Sequence, residues 1–124
     1  MVKVCIIGAT GYVGAELVRL LHGRKDIKLT SVVSNSFPGQ PFSDIYPAFR
    51  GTFDQKCDSL EIAMLCEKAD FFITALPNGV SAGITRELIK NGKKVIDHSA
   101  DFRFKDSQVY EKTYRITHGA PELL

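Results

Sequence analysis

Apolar positions along this chain follow two alternating rhythms. Val2–Ile7 is a nearly unbroken apolar run, the pattern of a strand buried on both faces. Val13, Leu17, Leu20 and Leu21 then recur at helical spacing, and Gly23 stands near the end of the helix they predict. Ile27–Val33 is rich in β-branched residues and predicts a second strand. From Ser34 to Gly51 the periodicity dissolves among Pro38, Gly39, Pro41 and Pro47, which predicts a long functional loop. Asp58 and Glu61 have the spacing of a capping box and predict a short helix to about Lys68. Phe71–Leu76 predicts a third buried strand, closed by Pro77-Asn78-Gly79. Val80, Ile84 and Leu88 share one helix face, and that helix stops near Asn91-Gly92. Lys94–Asp97 opens a fourth strand, and Ser107–Tyr114 predicts a last short helix.

Strands parted by helices need crossover connections, and crossovers give parallel pairing. The expected fold class is α/β, Rossmann-like, a mainly parallel sheet with helices on both faces and the first strand central. The chain has 124 residues, the size of a single domain, and residues 1–124 are read as one NAD(P)-binding domain. Four loops follow strand ends: the glycines after the first, Ser34–Ser36, Leu76–Gly79 and Ser99–Asp101. They should gather on one rim, where ligands of open α/β sheets bind.

The first of these loops carries the strongest signal. Gly8, Gly11 and Gly14 lie between a strand and a helix. A diphosphate needs that order: a tight turn, a backbone without side chains to approach, and the free N–H groups of a helix start. The spacing is G-x-x-G-x-x-G rather than the commoner G-x-G-x-x-G. A turn that merely packs helix on strand is the plainer explanation. Gly8, Thr10, Gly11, Tyr12, Val13 and Gly14 are the candidate cofactor contacts here.

The second loop bears on which dinucleotide. An Asp or Glu at the end of the second strand commonly binds the ribose hydroxyls of NAD. Here the turn reads Val33-Ser34-Asn35-Ser36, with no acid to repel a 2′-phosphate and with Ser34 and Ser36 able to donate to it. This favours NADP, against the simpler reading of a serine turn bonding its own backbone. Leu76 and Pro77 are candidates to line the nucleotide groove, with backbone N–H groups of that segment facing a phosphate, and Ser99 joins them from the fourth loop. Asp101 and Arg103 either pair at the surface or leave Arg103 to hold a phosphorylated substrate bidentately.

Composition narrows the partners. Sixteen basic and fourteen acidic residues give a net charge of +2, too balanced for a nucleic-acid binder. No apolar run approaches a membrane span, and no signal peptide is predicted. Cys5, Cys57 and Cys66 are odd in number and unpaired in spacing, which fits a reducing cytoplasm rather than a disulfide or zinc framework. His22, His98 and His118 show no metal-ligand spacing, so no metal is expected. No nucleophile stands with a base and an orienting group, so no catalytic residue is assigned.

The string Gly8-Ala9-Thr10-Gly11-Tyr12-Val13-Gly14 resembles the N-acetyl-γ-glutamyl-phosphate reductase family. The likeness continues at Ser34–Pro41 and Ala75–Ser81, and is most specific at Val95-Ile96-Asp97-His98-Ser99-Ala100-Asp101-Phe102-Arg103 and Ala120–Leu123. It covers nearly the whole chain but only the family's N-terminal part. The resemblance implies an oxidoreductase of arginine biosynthesis that reduces an acyl phosphate to a semialdehyde through a cysteine thioester, with NADPH as hydride donor. It implies a two-domain enzyme, a homo-oligomer when full length, whose catalytic cysteine and histidine fall beyond this sequence. Asn35 stands where the family often has a basic residue, and Asn78 where it often has His. This chain alone is therefore expected to be inactive, and to expose apolar surface where a second domain would dock. Three other readings stay open: an aspartate-semialdehyde dehydrogenase fragment, the aminoadipyl-phosphate relative, and a non-catalytic nucleotide-binding module.

Overall fold

The computed structural model describes residues 1–124. Its strands are β1 (Val2–Ile7), β2 (Ile27–Val33), β3 (Phe71–Thr74) and β4 (Lys94–Asp97). They form one sheet in the order β2-β1-β3-β4, parallel throughout. The helices are α1 (Tyr12–Leu21), α2 (Phe42–Ile45), α3 (Ile62–Lys68), α4 (Ser81–Lys90) and α5 (Ser107–Tyr114). The expected class therefore holds, with β1 central and the strand order reversing beside it.

Alternation along β1 separates two cores. Val4 and Ile6 point to one face and join Ala15 and Val18 of α1 with Leu29, Val32, Phe42 and Ile73. Cys5 and Ile7 point to the other, against Leu65 of α3, Leu88 of α4, Val33, Ala69 and Phe72. A register shift between Val4 and Cys5 sets Ser31, rather than Thr30, opposite Cys5. On the α1 face the cover is incomplete: Val2, Leu21, Phe71, Ile73 and Ile96 line an open apolar groove over β3 and β4.

Several boundaries differ from the sequence reading, each for a physical reason. The glycine loop ends one residue early, and α1 starts at Tyr12 with Gly11 as its N-cap. The third strand stops at Thr74; the Ala75 amide still donates to the Ile7 carbonyl, but Pro77 has no N–H to continue the ladder. The stretch from Ser34 to Gly51 is ordered by aromatic packing, not by a period. Phe42 is fully buried, stacks on Tyr46 at 5.2 Å and meets Phe49 and Phe53 edge-on at 5.2 and 5.6 Å. The capping box does not form. Glu61 is the N-cap of α3, while the Asp58 carboxylate takes the Ser31 hydroxyl and the Lys68 ammonium, 3.1 Å away.

Two glycines are dictated by close backbone approach. Gly8 has φ +90°, and a Cβ there would collide with the Ala75 carbonyl. A Cβ on Gly14 would collide with the Gly8 carbonyl and the Ala9 backbone. The start of α1 thus packs directly on the end of β1. Gly14→Ala is expected to cost about 1–3 kcal/mol, as overpacking against backbone does. Urea unfolding with an unchanged midpoint would show that the loop relaxes freely.

Candidate functional site

The rim at the carboxyl ends of the strands holds a cleft of about 400 Å³. Gly8, Thr10, Gly11, Asn35, Ser36, Leu76 and Pro77 line it, together with Leu60, Val80 and Ile84. Its floor is the turn out of β1. The amides of Gly8 and Ala9 both donate to the Val33 carbonyl, at 3.1 and 3.0 Å, which locks that turn against β2. Thr10 braces it further: its hydroxyl lies 2.8 Å from that of Ser34, and its carbonyl accepts the Tyr46 hydroxyl at 2.7 Å.

Gly11 differs from its neighbours. A Cβ there would meet nothing nearer than the Gly8 carbonyl, 3.7 Å away, so the protein's own packing does not demand a glycine. The space it leaves opens on the cleft. Beside it, the amides of Tyr12, Val13 and Gly14 have no acceptor within the chain, as expected for the first turn of an uncapped helix. Free N–H groups, the positive end of a helix dipole and an absent side chain together suit a diphosphate.

The sequence-derived candidates divide accordingly. Gly8, Thr10, Gly11, Ser36, Leu76 and Pro77 come together in the cleft. Gly14 supports the loop from behind. Tyr12, 94% exposed, and Val13 turn their side chains into a separate open groove with His98, so only their backbones face the loop. Ser34 is 1% exposed, and its hydroxyl is engaged by Thr10 and by the Phe37 amide at 3.0 Å, so it shapes the turn rather than facing solvent. Ser99 lies outside the cleft; its hydroxyl and amide both donate to Asp97, at 2.6 and 3.0 Å.

The polar run after β4 is organised differently from the surface pair of Asp101 and Arg103 that the sequence allowed. Asp101 does not pair with Arg103. It is 1% exposed, and its carboxylate accepts the Gly79 and Ala82 amides at 2.8 and 2.9 Å and the Tyr110 hydroxyl. The Gly79 amide, in the segment anticipated to face a phosphate, is therefore committed to an internal carboxylate, and so is the Ala82 amide in the first turn of α4. Arg103 is exposed, lies over the Phe104 ring and donates to the Tyr114 hydroxyl at 2.9 Å. Asp97 collects the Thr74, Ser81 and Ser99 hydroxyls at 2.8, 2.7 and 2.6 Å. Burial works to raise its carboxyl, but these hydroxyls and the Ser99 amide hold it below the usual carboxylate range.

None of the three thiols is poised for attack. Burial pushes Cys5 up to about 12 and raises Cys57 and Cys66 as well. His118 is buried, its Nε2 donating to the Asp101 carbonyl and its Nδ1 accepting the Ala120 amide at 3.0 Å. Leu60, Val80 and Ile84 escaped the sequence reading as cleft residues; Val80 and Ile84 were legible only as a helix stripe, and Leu60 sits outside any periodic segment.

A parallel sheet of this order with a glycine turn and an open helix start defines a dinucleotide-binding α/β domain. The model of one family, "Semialdehyde dehydrogenase, NAD binding domain", matches residues 3–123, and the chain belongs to that family. Its parent enzymes are oxidoreductases. The chain is 53% identical over its full length to an N-acetyl-gamma-glutamyl-phosphate reductase of Acetivibrio thermocellus, and 49% identical to one of Halothermothrix orenii. It spans 36% of the length of each of these relatives. Among solved structures, aspartate semialdehyde dehydrogenase with NADP from Candida albicans superposes with a TM-score of 0.74. That match covers 86% of this chain and 32% of the other, at 18% identity. The Vibrio cholerae aspartate semialdehyde dehydrogenase II gives 0.64 over 84% of this chain and 30% of the other, at 19% identity. At these identities the likeness concerns the fold.

Asp97 generates a prediction for acid stability. A carboxyl depressed on folding stabilises the fold above its unfolded value, about 4, and that contribution disappears as pH falls through the folded value. Asp97→Asn should lower the melting temperature at pH 7 and lose less on acidification from pH 4 to 2 (roughly the window of carboxylate titration) than the unmodified chain. Parallel acid limbs in thermal melts would show that Asp97 takes no part.

Proposed function

We propose that this chain is the NADP(H)-binding part of an N-acetyl-γ-glutamyl-phosphate reductase. The observation that carries the reading is the 53% identity over the chain's full length to an enzyme of that name. The geometry supports it. Gly8, Gly11 and the amides of Tyr12, Val13 and Gly14 would hold the diphosphate, and Leu60, Leu76, Pro77, Val80 and Ile84 offer apolar walls. Bound NADPH would supply a hydride to an acyl group of the substrate.

Preference for NADP rests on the turn after β2. Residues Val33 to Phe37 include no acid, and Asn35 and Ser36 line the cleft with exposed side chains. With Ser34 engaged internally, contact with a 2′-phosphate falls to Asn35 and Ser36. Arg103 keeps guanidinium donors free beyond its bond to Tyr114 and is our candidate for the substrate phosphate. Ser99 acts through Asp97, from outside the cleft. The small-molecule acyl phosphate, arginine biosynthesis, a cytoplasmic setting and a homo-oligomeric full-length enzyme belong to the same reading. No helix is long and apolar enough to cross a membrane. The open apolar groove over β3 and β4 fits docking of a further domain, and in its absence weak self-association.

Reduction of an acyl phosphate through a thioester needs a thiolate beside an acid–base partner. Cys5, Cys57 and Cys66 have raised thiols and no such partner, so the nucleophile would come from the further length of the enzyme.

Two outcomes follow. Calorimetry should show tighter binding of NADPH than NADH, and Gly11→Val should weaken both while leaving the melting temperature near that of the unmodified chain. Equal affinities would remove the 2′-phosphate argument, and unchanged binding in folded Gly11→Val would remove the cradle. This chain alone should give no NADP⁺ reduction with N-acetylglutamate semialdehyde and phosphate. Steady turnover that disappears when Cys5, Cys57 and Cys66 are all replaced by Ser would make one of them the nucleophile.

A further inference from the structure

Two helices begin at the rim of the cleft, and only at the second does a carboxylate of the chain bond the entry to the helix. The first amides of α1 are left without acceptors, whereas Asp101 takes the Ala82 amide in the first turn of α4 and the Gly79 amide in the turn before it. A carboxylate at a helix start is favourable, and this one is almost fully buried with no basic side chain bonded to it. Its partners come from three separate segments. Gly79 and Ala82 belong to the turn after β3 and the start of α4, and Tyr110 to α5. His118 holds the Asp101 carbonyl from the segment after α5. A parallel tie runs the other way, from the Ala100 amide to the Asn78 side chain at 2.9 Å. The segment so fastened, Leu76 to Val80, is one wall of the cleft.

Burying a carboxylate costs several kcal/mol unless it is fully hydrogen-bonded. A purely apolar contact between these loops would be cheaper, and it would leave the Gly79 and Ala82 amides unpaired and the turn after β3 untied from α5. We propose that Asp101 is a positioning residue for the cofactor: its carboxylate, by holding the Gly79 and Ala82 amides and the Tyr110 hydroxyl, fixes the Leu76–Val80 wall against which the cofactor would lie. This rests on the reading that the cleft binds NADP(H).

The test compares the unmodified chain with Asp101→Ala and Asp101→Asn. Asp101→Ala removes the carboxylate and leaves room for a small one. NADPH affinity should fall about tenfold, the scale of a lost buried charge-assisted contact. Formate in excess should restore most of it, while chloride at equal ionic strength should not. Asp101→Asn keeps the side chain's size but turns an amide donor toward two backbone donors. It should lose affinity comparably and gain nothing from formate, because the space is filled.

Hydrogen exchange supplies a measurement that needs no cofactor and serves even if Asp101→Ala unfolds, since Asp101→Asn keeps the packing volume. The Gly79 and Ala82 amides should exchange at least about tenfold faster in either variant, with Ala15 in α1 unchanged. Formate should slow them again in Asp101→Ala. Uniform acceleration across the chain, or no selective change at Gly79 and Ala82, would overturn the role of Asp101 whatever NADPH does. Selective exchange in the variants with no NADPH binding by the unmodified chain would overturn the cofactor reading, and the positioning role with it.

Discussion

Where the chain places negative charge relative to its two rim helices governs the rest of the architecture. Right-handed crossovers in a parallel sheet bring helix starts to the same edge as strand ends, and each start carries unpaired N–H groups and a partial positive charge. At α4 the Asp101 carboxylate takes the Ala82 amide and the Gly79 amide just before the helix, and Asp97 beside it is satisfied by three hydroxyls. At α1 the partial charge is met by nothing in the chain. The difference gives the cleft a direction. One wall is tied to a buried carboxylate of the chain, and the other presents first-turn amides with no carboxylate beside them.

That openness depends on packing at β1. The Gly8 carbonyl sits so close to Gly14 and the Ala75 carbonyl so close to Gly8 that neither glycine can carry a side chain without moving backbone. These contacts draw α1 onto the strand end, with the two hydrogen bonds from the Gly8 and Ala9 amides to the Val33 carbonyl fixing the turn between them. Gly11 is then free to be small for an external reason. Three glycines that look equivalent in the sequence thus differ: packing demands Gly8 and Gly14, whereas Gly11 lines the cleft without any such demand.

Most strands and the longer helices were legible because their burial is periodic. Val2–Ile7 reads as a two-faced strand because Cys5 and Ile7 fill one core while Val4 and Ile6 fill the other. What escaped were features whose causes are distant in sequence. Phe42, Tyr46, Phe49 and Phe53 make a cluster that obeys no helical or strand period, so Ser34 to Gly51 read as loop. Asp58 had the spacing of a cap, yet Ser31 and Lys68 offered its carboxylate better partners than the local backbone did. Ser34 read as a free hydroxyl because its bond to Thr10 spans 24 positions. Asp101 read as a surface partner for Arg103 because nothing nearby in sequence announces that Gly79, Ala82 and Tyr110 converge on it. Local pattern reports the elements, and long-range hydrogen bonding decides which polar groups of the rim stay available.

The most direct measurement is a titration of the ¹⁵N-labelled chain with NADPH, followed amide by amide. Tyr12, Val13 and Gly14 should shift strongly and saturate together, since their N–H groups have no acceptor until the diphosphate arrives. Gly79 and Ala82, already bonded to Asp101, should shift far less. Saturating shifts at Gly79 and Ala82 with Tyr12–Gly14 unmoved would contradict the division of labour between the two helix starts.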